Sequence, residues 1–335
     1  MGVTLARILA ARAVIRGIAS DTPLVPSAGM TARAGREFLL KLETTQAIGA
    51  FKLRGALVAL AAQPAGIAGV ACCSTGNHGR AIAHAAARRG LRAVVCMSRL
   101  VPQAKIDGIR ALGAEVRIAG ASQDEAMAEC RRLCADEGLV EIPPFDHADV
   151  IAGQGTIGLE MLEARPDIAT ILVPLSGGGL AAGVAVAARA IRPDIRLIGV
   201  TMERGAAMAA SIAAGRPIAV TELPSLADSL GGGIGLDNRL TYALCRDLLD
   251  EVVLVGEEAI RDAMQVLYFE DRMVAEGAAV VGLAAVLAGR VKAAGGAMAT
   301  IITGRNPDMN VFTRIVAGED VTLSDLTIKG RRHGT

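Results

Sequence analysis

The sequence contains no tryptophan, two tyrosines and five phenylalanines among its 335 residues. Aromatic side chains and clustered positive charge are the usual means of binding nucleic acid. The chain has 35 Lys and Arg and 34 Asp and Glu, so its net charge is only +1. The sequence therefore indicates that nucleic acid is not a partner, and we expect a small molecule instead.

Long apolar runs are also lacking, since even Ala278–Gly289 is shorter than the roughly 20 residues that span a bilayer. No membrane partner is therefore expected. The six cysteines include no Cys-x-x-Cys pair, and no histidines lie at zinc-finger spacing, which argues against a structural metal site. We expect reduced core thiols, a cytoplasmic location and no bound metal.

Apolar residues make up 52% of the chain and occur as short runs that alternate with helical patterns. The predicted strands are Leu39–Leu42, Gly69–Cys73, Ala93–Met97, Glu115–Ala119, Thr170–Leu175, Arg196–Thr201 and Met298–Thr303. The predicted helices are His78–Arg89, Gln103–Leu112, Ser122–Glu137, Gly155–Ala164, Leu180–Ile191 and Glu257–Phe269, with another at the N-terminus. This alternation predicts an α/β fold with open, twisted parallel sheets.

Proline and glycine punctuation near residues 63–69 and 142–146 brackets a block of the chain. We predict a small domain at residues 64–146. A large domain would then combine residues 1–63 and 147–320. Residues 321–335 are polar and are expected to form a tail.

Lys52 is one of only five lysines, against thirty arginines, and lies in the sequence Gly-Ala-Phe-Lys-Leu-Arg-Gly. A lysine in a chain that otherwise uses arginine suggests an amine that must lose its charge, as Schiff-base chemistry requires. The alternative is a helix-capping or solvated lysine. Other segments bear on this choice.

A glycine-rich loop follows a predicted strand and opens a predicted helix, which suits an anion such as phosphate. The loop consists of Ser176, Gly177, Gly178, Gly179 and Leu180. Together with Ala182 it also satisfies the dinucleotide pattern G-x-G-x-x-[GA], and Glu203 lies near the distance of a ribose-binding acid. A nucleotide-binding oxidoreductase is therefore an alternative.

Two more turns carry polar groups at strand ends. Residues 73–79 read Cys-Ser-Thr-Gly-Asn-His-Gly, and such hydroxyls, amide and N–H groups can hold a carboxylate and a phenolate oxygen. The alternative there is an ordinary helix cap followed by a glycine turn. Residues 302–306, Ile-Thr-Gly-Arg-Asn, read as a turn when taken alone.

The order of these motifs resembles the fold-type II pyridoxal-phosphate enzymes of the threonine dehydratase and serine racemase family, whose fold is similar to the tryptophan synthase β chain. The resemblance runs from about Thr22 to Ile315 and includes Ile151–Glu160, Ser225–Leu236 and Ala275–Ala278. It implies two open parallel-sheet domains, pyridoxal 5'-phosphate (PLP) as cofactor, an amino-acid substrate and a homodimer.

The resemblance also implies roles for individual residues. Lys52 would form the internal aldimine and move protons at the substrate Cα, with Phe51 packed on the pyridine ring. Asn77 would bind the phenolic oxygen, the loop of residues 176–180 would bind the phosphate, and Thr303 would face the pyridine nitrogen. A hydroxyl at that nitrogen stabilises a pyridinium poorly, which favours elimination of a β-hydroxyl over transamination.

Three residues would hold the substrate carboxylate: Ser74, Thr75 and His78. Ser74 and Thr75 are also catalytic candidates. In the racemases, a serine at the position of Thr75 supplies the second acid–base group. An amino-acid racemase is therefore the alternative within the family. An inactive homologue with a structural role is a further one, although Lys52 argues against it.

Some positions differ from the family pattern. Thr201 and Ala207 stand where animal racemases have two acidic metal ligands, so we expect no metal there. Arg305 replaces a common glycine. The segments Cys96–Val101, Arg204–Ser211 and Ser229–Asn238 resemble the threonine-dehydratase-like proteins of hydroxyectoine utilisation, which suggests a substrate derived from hydroxyectoine.

Overall fold

The computed structural model describes residues 2–74, 76–99, 101, 103–292 and 295–334. The strands are β1 (Leu24–Pro26), β2 (Phe38–Leu42), β3 (Val70–Cys73), β4 (Ala93–Met97), β5 (Glu115–Ile118), β6 (Val140–Glu141), β7 (Ile168–Pro174), β8 (Arg196–Met202), β9 (Glu251–Val255), β10 (Ala297–Ile302), β11 (Val321–Leu323) and β12 (Leu326–Ile328). The α-helices are α1 (Leu5–Ile15), α2 (Ala28–Ala34), α3 (Lys52–Ala61), α4 (Asn77–Arg88), α5 (Gln103–Arg110), α6 (Gln123–Glu137), α7 (Ala148–Ala164), α8 (Gly179–Ile191), α9 (Ala207–Ala213), α10 (Thr241–Leu248), α11 (Glu257–Phe269), α12 (Val281–Leu287) and α13 (Met309–Ala317). Short 3₁₀ helices lie at Glu43–Thr45, Asp228–Leu230 and Gly277–Ala279.

Two main sheets organise these elements and confirm the predicted α/β class. The larger sheet has the order β1-β2-β10-β7-β8-β9, and its strands are parallel except for the edge strand β1. The smaller sheet has the order β5-β4-β3-β6 and is parallel throughout. Its strands all come from between residues 70 and 141, whereas the larger sheet draws strands from both sides of that block.

The central strands of the larger sheet are buried on both faces. Ile171 and Leu172 are neighbours on β7, yet they belong to different apolar clusters, because successive strand residues point to opposite faces. One cluster includes residues of α1, α3, α7 and α8, and the other includes residues of α11 and α12. The predicted continuous apolar runs follow from this two-sided burial.

Glycines allow α3, α7 and α8 to pack with their backbones close together. A Cβ added to Gly153 on α7 would lie 2.7 Å from the Arg54 carbonyl oxygen on α3. A Cβ added to Gly183 on α8 would lie 2.4 Å from the Ile151 carbonyl oxygen on α7. Helix α7 therefore fixes the start of α3, which carries Lys52, relative to the glycine-rich start of α8.

A buried ionic network also anchors α3. The Arg54 guanidinium is fully buried and donates to both carboxylate oxygens of Glu43, each at 2.8 Å. It also donates to Glu160 on α7, which in turn accepts a hydrogen bond from Lys41 Nζ at 2.5 Å. Removing one partner would leave an uncompensated buried charge, so the network holds α3 against α7 and β2.

The end of the chain is more ordered than its polar composition suggested. Residues 321–328 form the antiparallel hairpin β11–β12, with Val321 and Ile328 buried in the apolar core. Gln265 on α11 donates to the Arg331 carbonyl at 2.6 Å, and Arg261 donates to the Lys329 carbonyl. The expected free tail is therefore corrected to a segment packed on α11, because its few apolar residues face the protein.

Candidate active site

The predicted functional turns follow directly after parallel strands. Ser74 follows β3, the loop of residues 176–180 lies just beyond the end of β7, and Thr303 follows β10. The carboxyl ends of parallel strands are where open α/β sheets bind ligands. The chain reverses there into α4, α8 and the segment before α13.

Lys52 is the first residue of α3 and lies against the Thr303 turn. The N–H of Phe51 donates to the Thr303 carbonyl oxygen at 3.0 Å, and Thr303 is 6% exposed. Lys52 Nζ donates to the Pro144 carbonyl oxygen at 2.8 Å and lies 5.3 Å from the centroid of the Phe51 ring. Burial lowers the pKa of Lys52 to about 8, which raises the share of neutral, nucleophilic amine.

The segment from Ile142 to Asp146 forms one wall of the site, although the sequence analysis treated it only as punctuation. Its Pro144 carbonyl receives Lys52, and its Asp146 carboxylate accepts from the backbone N–H groups at the start of α10. Phe145 lies on the glycine loop, since a Cβ on Gly177 would be 2.3 Å from its ring. The sequence signal that could have indicated this wall was Phe145, because the chain has few aromatic residues.

The glycine loop has the geometry of an anion site. Gly178 has a φ of +89° and caps the N-terminus of α8, which begins at Gly179. The first N–H groups of a helix have no acceptor within the helix and carry a partial positive charge. A side chain on Gly178 would meet Met208 and Cys245 at 2.8 and 2.9 Å, so the turn accepts only glycine without rearrangement.

His78 is 3% exposed and hydrogen bonds through Nε2 to the Ile142 carbonyl oxygen at 2.8 Å. Because a carbonyl only accepts, Nε2 carries the proton. Burial and the nearby Lys52 charge lower the pKa of His78 to about 3, so the ring is neutral and its Nδ1 is an acceptor. A carboxylate needs donors, so this arrangement does not favour His78 as a ligand of the substrate carboxylate.

Asn77 lies at the start of α4, within a polar cluster. Its Nδ2 donates to the two carboxylate oxygens of Glu276 at 2.9 and 3.0 Å, and its Oδ1 accepts from Asn306 Nδ2 at 2.7 Å. The sequence analysis did not assign Glu276 a role. The available signal was a single acid within the apolar stretch from Val274 to Leu287.

Ser74 hydrogen bonds within its own turn. Its Oγ accepts from the N–H groups of Gly76 at 3.3 Å and Gly79 at 3.2 Å, as in the helix-cap alternative. These bonds leave the hydroxyl proton for another acceptor, so a substrate contact stays a prediction. Thr75 lies outside the described residues.

Thr201 and Ala207 stand at the positions that the motif resemblance matches to the metal ligands of the racemases, and neither has a carboxylate. Thr201 is buried in β8 with its hydroxyl near Met202 Sδ at 3.4 Å, and Ala207 begins α9. Among the described residues no group of three or more His, Cys, Asp and Glu is arranged to hold a metal ion. The absence of a bound metal stays a prediction.

The residues present fit PLP as a cofactor. The Lys52 amine, with its lowered pKa, suits the aldehyde of PLP. The helix N-terminus with its glycine turn suits the phosphate, and the buried Thr303 suits the pyridine nitrogen. These three parts lie next to each other. Phe51, the neighbour of Lys52, is hydrogen bonded to Thr303, and Lys52 is hydrogen bonded to Pro144, whose neighbour Phe145 packs on the glycine loop.

Comparison with known proteins identifies the family. The model of the pyridoxal-phosphate dependent enzymes matches residues 15–304, and the chain belongs to that family. The chain is 54% identical over 299 residues to a protein of Sinorhizobium fredii named "Putative threonine dehydratase", covering 89% of this chain and 90% of that one. It is 39% identical over 316 residues to the L-threonine ammonia-lyase of Thermotoga maritima, covering 94% and 78%.

Solved structures agree with this assignment. The maize serine racemase superposes with a TM-score of 0.89 at 34% identity, covering 94% of this chain and 97% of that one. Membership of a PLP family confirms the predicted cofactor and fold type and makes the nucleotide-binding oxidoreductase alternative wrong. None of the helices in the described part of the chain combines the length and apolar character that crossing a membrane requires.

Proposed function

We propose that the protein is a PLP-dependent lyase that removes water and then ammonia from a β-hydroxy amino acid such as L-threonine or L-serine. The observation that carries this proposal is the Lys52 amine. It has a lowered pKa and lies between the Thr303 turn and the wall segment that contains Pro144. The names of the relatives from Sinorhizobium fredii and Thermotoga maritima support the same reaction type.

When bound, PLP supplies an electron sink for negative charge at the substrate Cα. Lys52 would take the α-proton, and the β-hydroxyl would leave as water once it has received that proton, directly from Lys52 or through a bound water. The unsaturated amine that is released tautomerises and is hydrolysed to a 2-oxo acid and ammonia. One water is lost and one is consumed, so L-threonine gives 2-oxobutanoate and ammonia.

The remaining roles are proposed as the family resemblance implies them. The loop of residues 176–180 would bind the phosphate, Asn77 the phenolic oxygen, Phe51 one face of the ring and Thr303 the ring nitrogen. Ser74 and Thr75 would hold the substrate carboxylate. We leave His78 out of that set and assign it to the support of the wall at Ile142, to which it is hydrogen bonded.

Racemisation is the second candidate. The similarity to maize serine racemase favours it. By the resemblance of the motifs, however, Thr75 stands where the racemases have a serine. A threonine hydroxyl can transfer a proton, but its methyl group stiffens χ1 and restricts its approach to Cα. Elimination requires only Lys52 and an exit for the hydroxyl, and we therefore place it first.

The broader setting is also proposed. We infer a cytoplasmic homodimer in which residues 64–146 form a small domain, and residues 1–63 and 147–320 form a large one. The grouping of β3 to β6 in a separate sheet supports that division. The physiological substrate would be a hydroxylated amino acid, including one derived from hydroxyectoine.

The proposal is tested with purified protein supplied with PLP. It should be coloured, and it should release equal amounts of ammonia and 2-oxo acid from at least one β-hydroxy amino acid. Lys52→Ala should abolish both products, whereas Lys105→Ala, a change at an exposed ion pair with Asp228, should not. Absence of products from every substrate tried, with PLP bound at Lys52, would contradict the lyase assignment.

A further inference from the structure

Glu276 is a buried carboxylate that accepts hydrogen bonds only from neutral donors within the described part of the chain. It is 4% exposed and accepts from Asn77 Nδ2, from the Asn306 N–H at 2.9 Å and from Ser229 Oγ at 3.0 Å. Burial raises the pKa of Glu276, and the negative charge of Asp228 adds to this effect. An acid that is buried with no cation among its described partners is costly, and costs of this kind are concentrated at functional sites.

The surrounding groups determine how the Asn77 amide is oriented. Asn306 Nδ2 must be a donor at both of its contacts, because one of them is the Ile48 carbonyl oxygen at 3.0 Å. It therefore donates to Asn77 Oδ1, which leaves Asn77 Nδ2 to donate to the Glu276 carboxylate. A flipped Asn77 would place oxygen against oxygen on one side and NH₂ against NH₂ on the other.

The same cluster connects the segments that would bind the cofactor. Gly304 follows Thr303, and a Cβ on Gly304 would lie 2.5 Å from Glu276 Oε1 and 3.1 Å from Asn77 Nδ2. Asn306 links this turn to Ile48, four residues before Lys52. Glu276 is thus packed directly beside the turn that carries Thr303, although it was not among the predicted site residues.

We propose that Glu276 is a positioning residue of the cofactor site, which holds the Asn77 amide so that an N–H of its Nδ2 faces PLP. The proposal rests on the proposed function and on the expected contact of Asn77 with the phenolic oxygen. The two contacts to Glu276 go to the oxygens of one carboxylate, so a single N–H can serve both. The second N–H of Nδ2 is then available to the cofactor.

The test is the variant Glu276→Gln, which keeps the side-chain shape but replaces one acceptor oxygen by an NH₂ group. That group would replace an acceptor for Asn77 Nδ2 and for either the Asn306 N–H or Ser229 Oγ, so the Asn77 amide is held less firmly. We expect the Kd for PLP to rise by about tenfold or more, because the Asn77 amide is held less firmly toward the cofactor. The two absorbance bands of bound PLP should also shift in ratio, because they report the ionisation of its phenolic oxygen.

Two comparisons separate positioning from general support. In the Asn77→Ala background, Glu276→Gln should change the PLP Kd and the band ratio little further, since its effect passes through Asn77. Glu163→Gln, an exposed acid paired with Arg12, is the matched control and should leave both quantities unchanged. Equal effects of Glu276→Gln with and without Asn77, or no effect at all, would overturn the proposal.

Asn306→Ala provides a second variant in case Glu276→Gln does not fold. It removes the donor to Asn77 Oδ1 and leaves the carboxylate in place, so the band ratio should shift in the same direction. An unchanged ratio would count against the proposal. Wild-type protein that binds no PLP would overturn the proposed function as well. Normal wild-type turnover, together with Glu276 variants that keep the wild-type PLP Kd and band ratio, would overturn only the role of Glu276.

Discussion

The lowered pKa of Lys52 predicts how fast the cofactor-free protein captures PLP at different pH values. Only a neutral amine adds to an aldehyde. With a pKa of about 8, roughly one quarter of the amine is neutral at about pH 7.5, against about one in a thousand at the ordinary value of 10.5. Burial thus increases the concentration of reactive amine by about 200-fold at that pH.

The assay mixes cofactor-free protein with PLP across roughly pH 6 to 10, reduces the bond with borohydride after a short time and maps the labelled peptide. Labelling of Lys52 should rise with pH and level off above about 8, since the neutral form is favoured above the pKa. Lys105→Ala should leave the profile unchanged, and Lys52→Arg should abolish it. Labelling of Lys52 that still rises steeply up to about pH 10, as the ordinary pKa of 10.5 requires, or label on Lys105, would refute the reasoning.

Three further predictions concern packing and metals. Gly177→Ala should weaken PLP binding, because its Cβ would lie 2.3 Å from the Phe145 ring; fluorescence titration measures this, and an unchanged Kd would contradict the loop assignment. Gly183→Ala should lower the free energy of unfolding by about 1–3 kcal/mol, measured in urea, because its Cβ would lie 2.4 Å from the Ile151 carbonyl oxygen. Gly295→Ala, where a Cβ meets open space, is the control for both and should change neither. Activity should survive EDTA, and loss of turnover that magnesium restores would show that a metal is required.

The buried parallel strands could be predicted from the sequence because two-sided burial produces an uninterrupted apolar run. β4 and β8 were located within one residue on this basis. The edge strand β9 was missed, since two of its five residues are exposed and its run is broken. β6 was missed because it has only two residues, too few for any periodicity to register.

The loops of the site could be predicted because glycines and hydroxyl residues follow the strands within a few positions of the sequence. The contacts between those loops could not. Asn77 and Glu276 are 199 residues apart, and nothing in either segment specifies the other as its partner. The placement of Phe145 on Gly177 likewise depends on how the two sheets pack, which short-range patterns do not encode.

The most direct test of the central claim is the partition between elimination and racemisation. Holoenzyme is given L-threonine, L-serine and 3-hydroxyaspartate, and ammonia and the D-enantiomer are measured in the same samples. We expect ammonia from at least one substrate, at a rate at least about tenfold above inversion, which corresponds to about 1.4 kcal/mol in barrier. Rapid formation of the D-enantiomer without ammonia would contradict the account and identify the protein as a racemase.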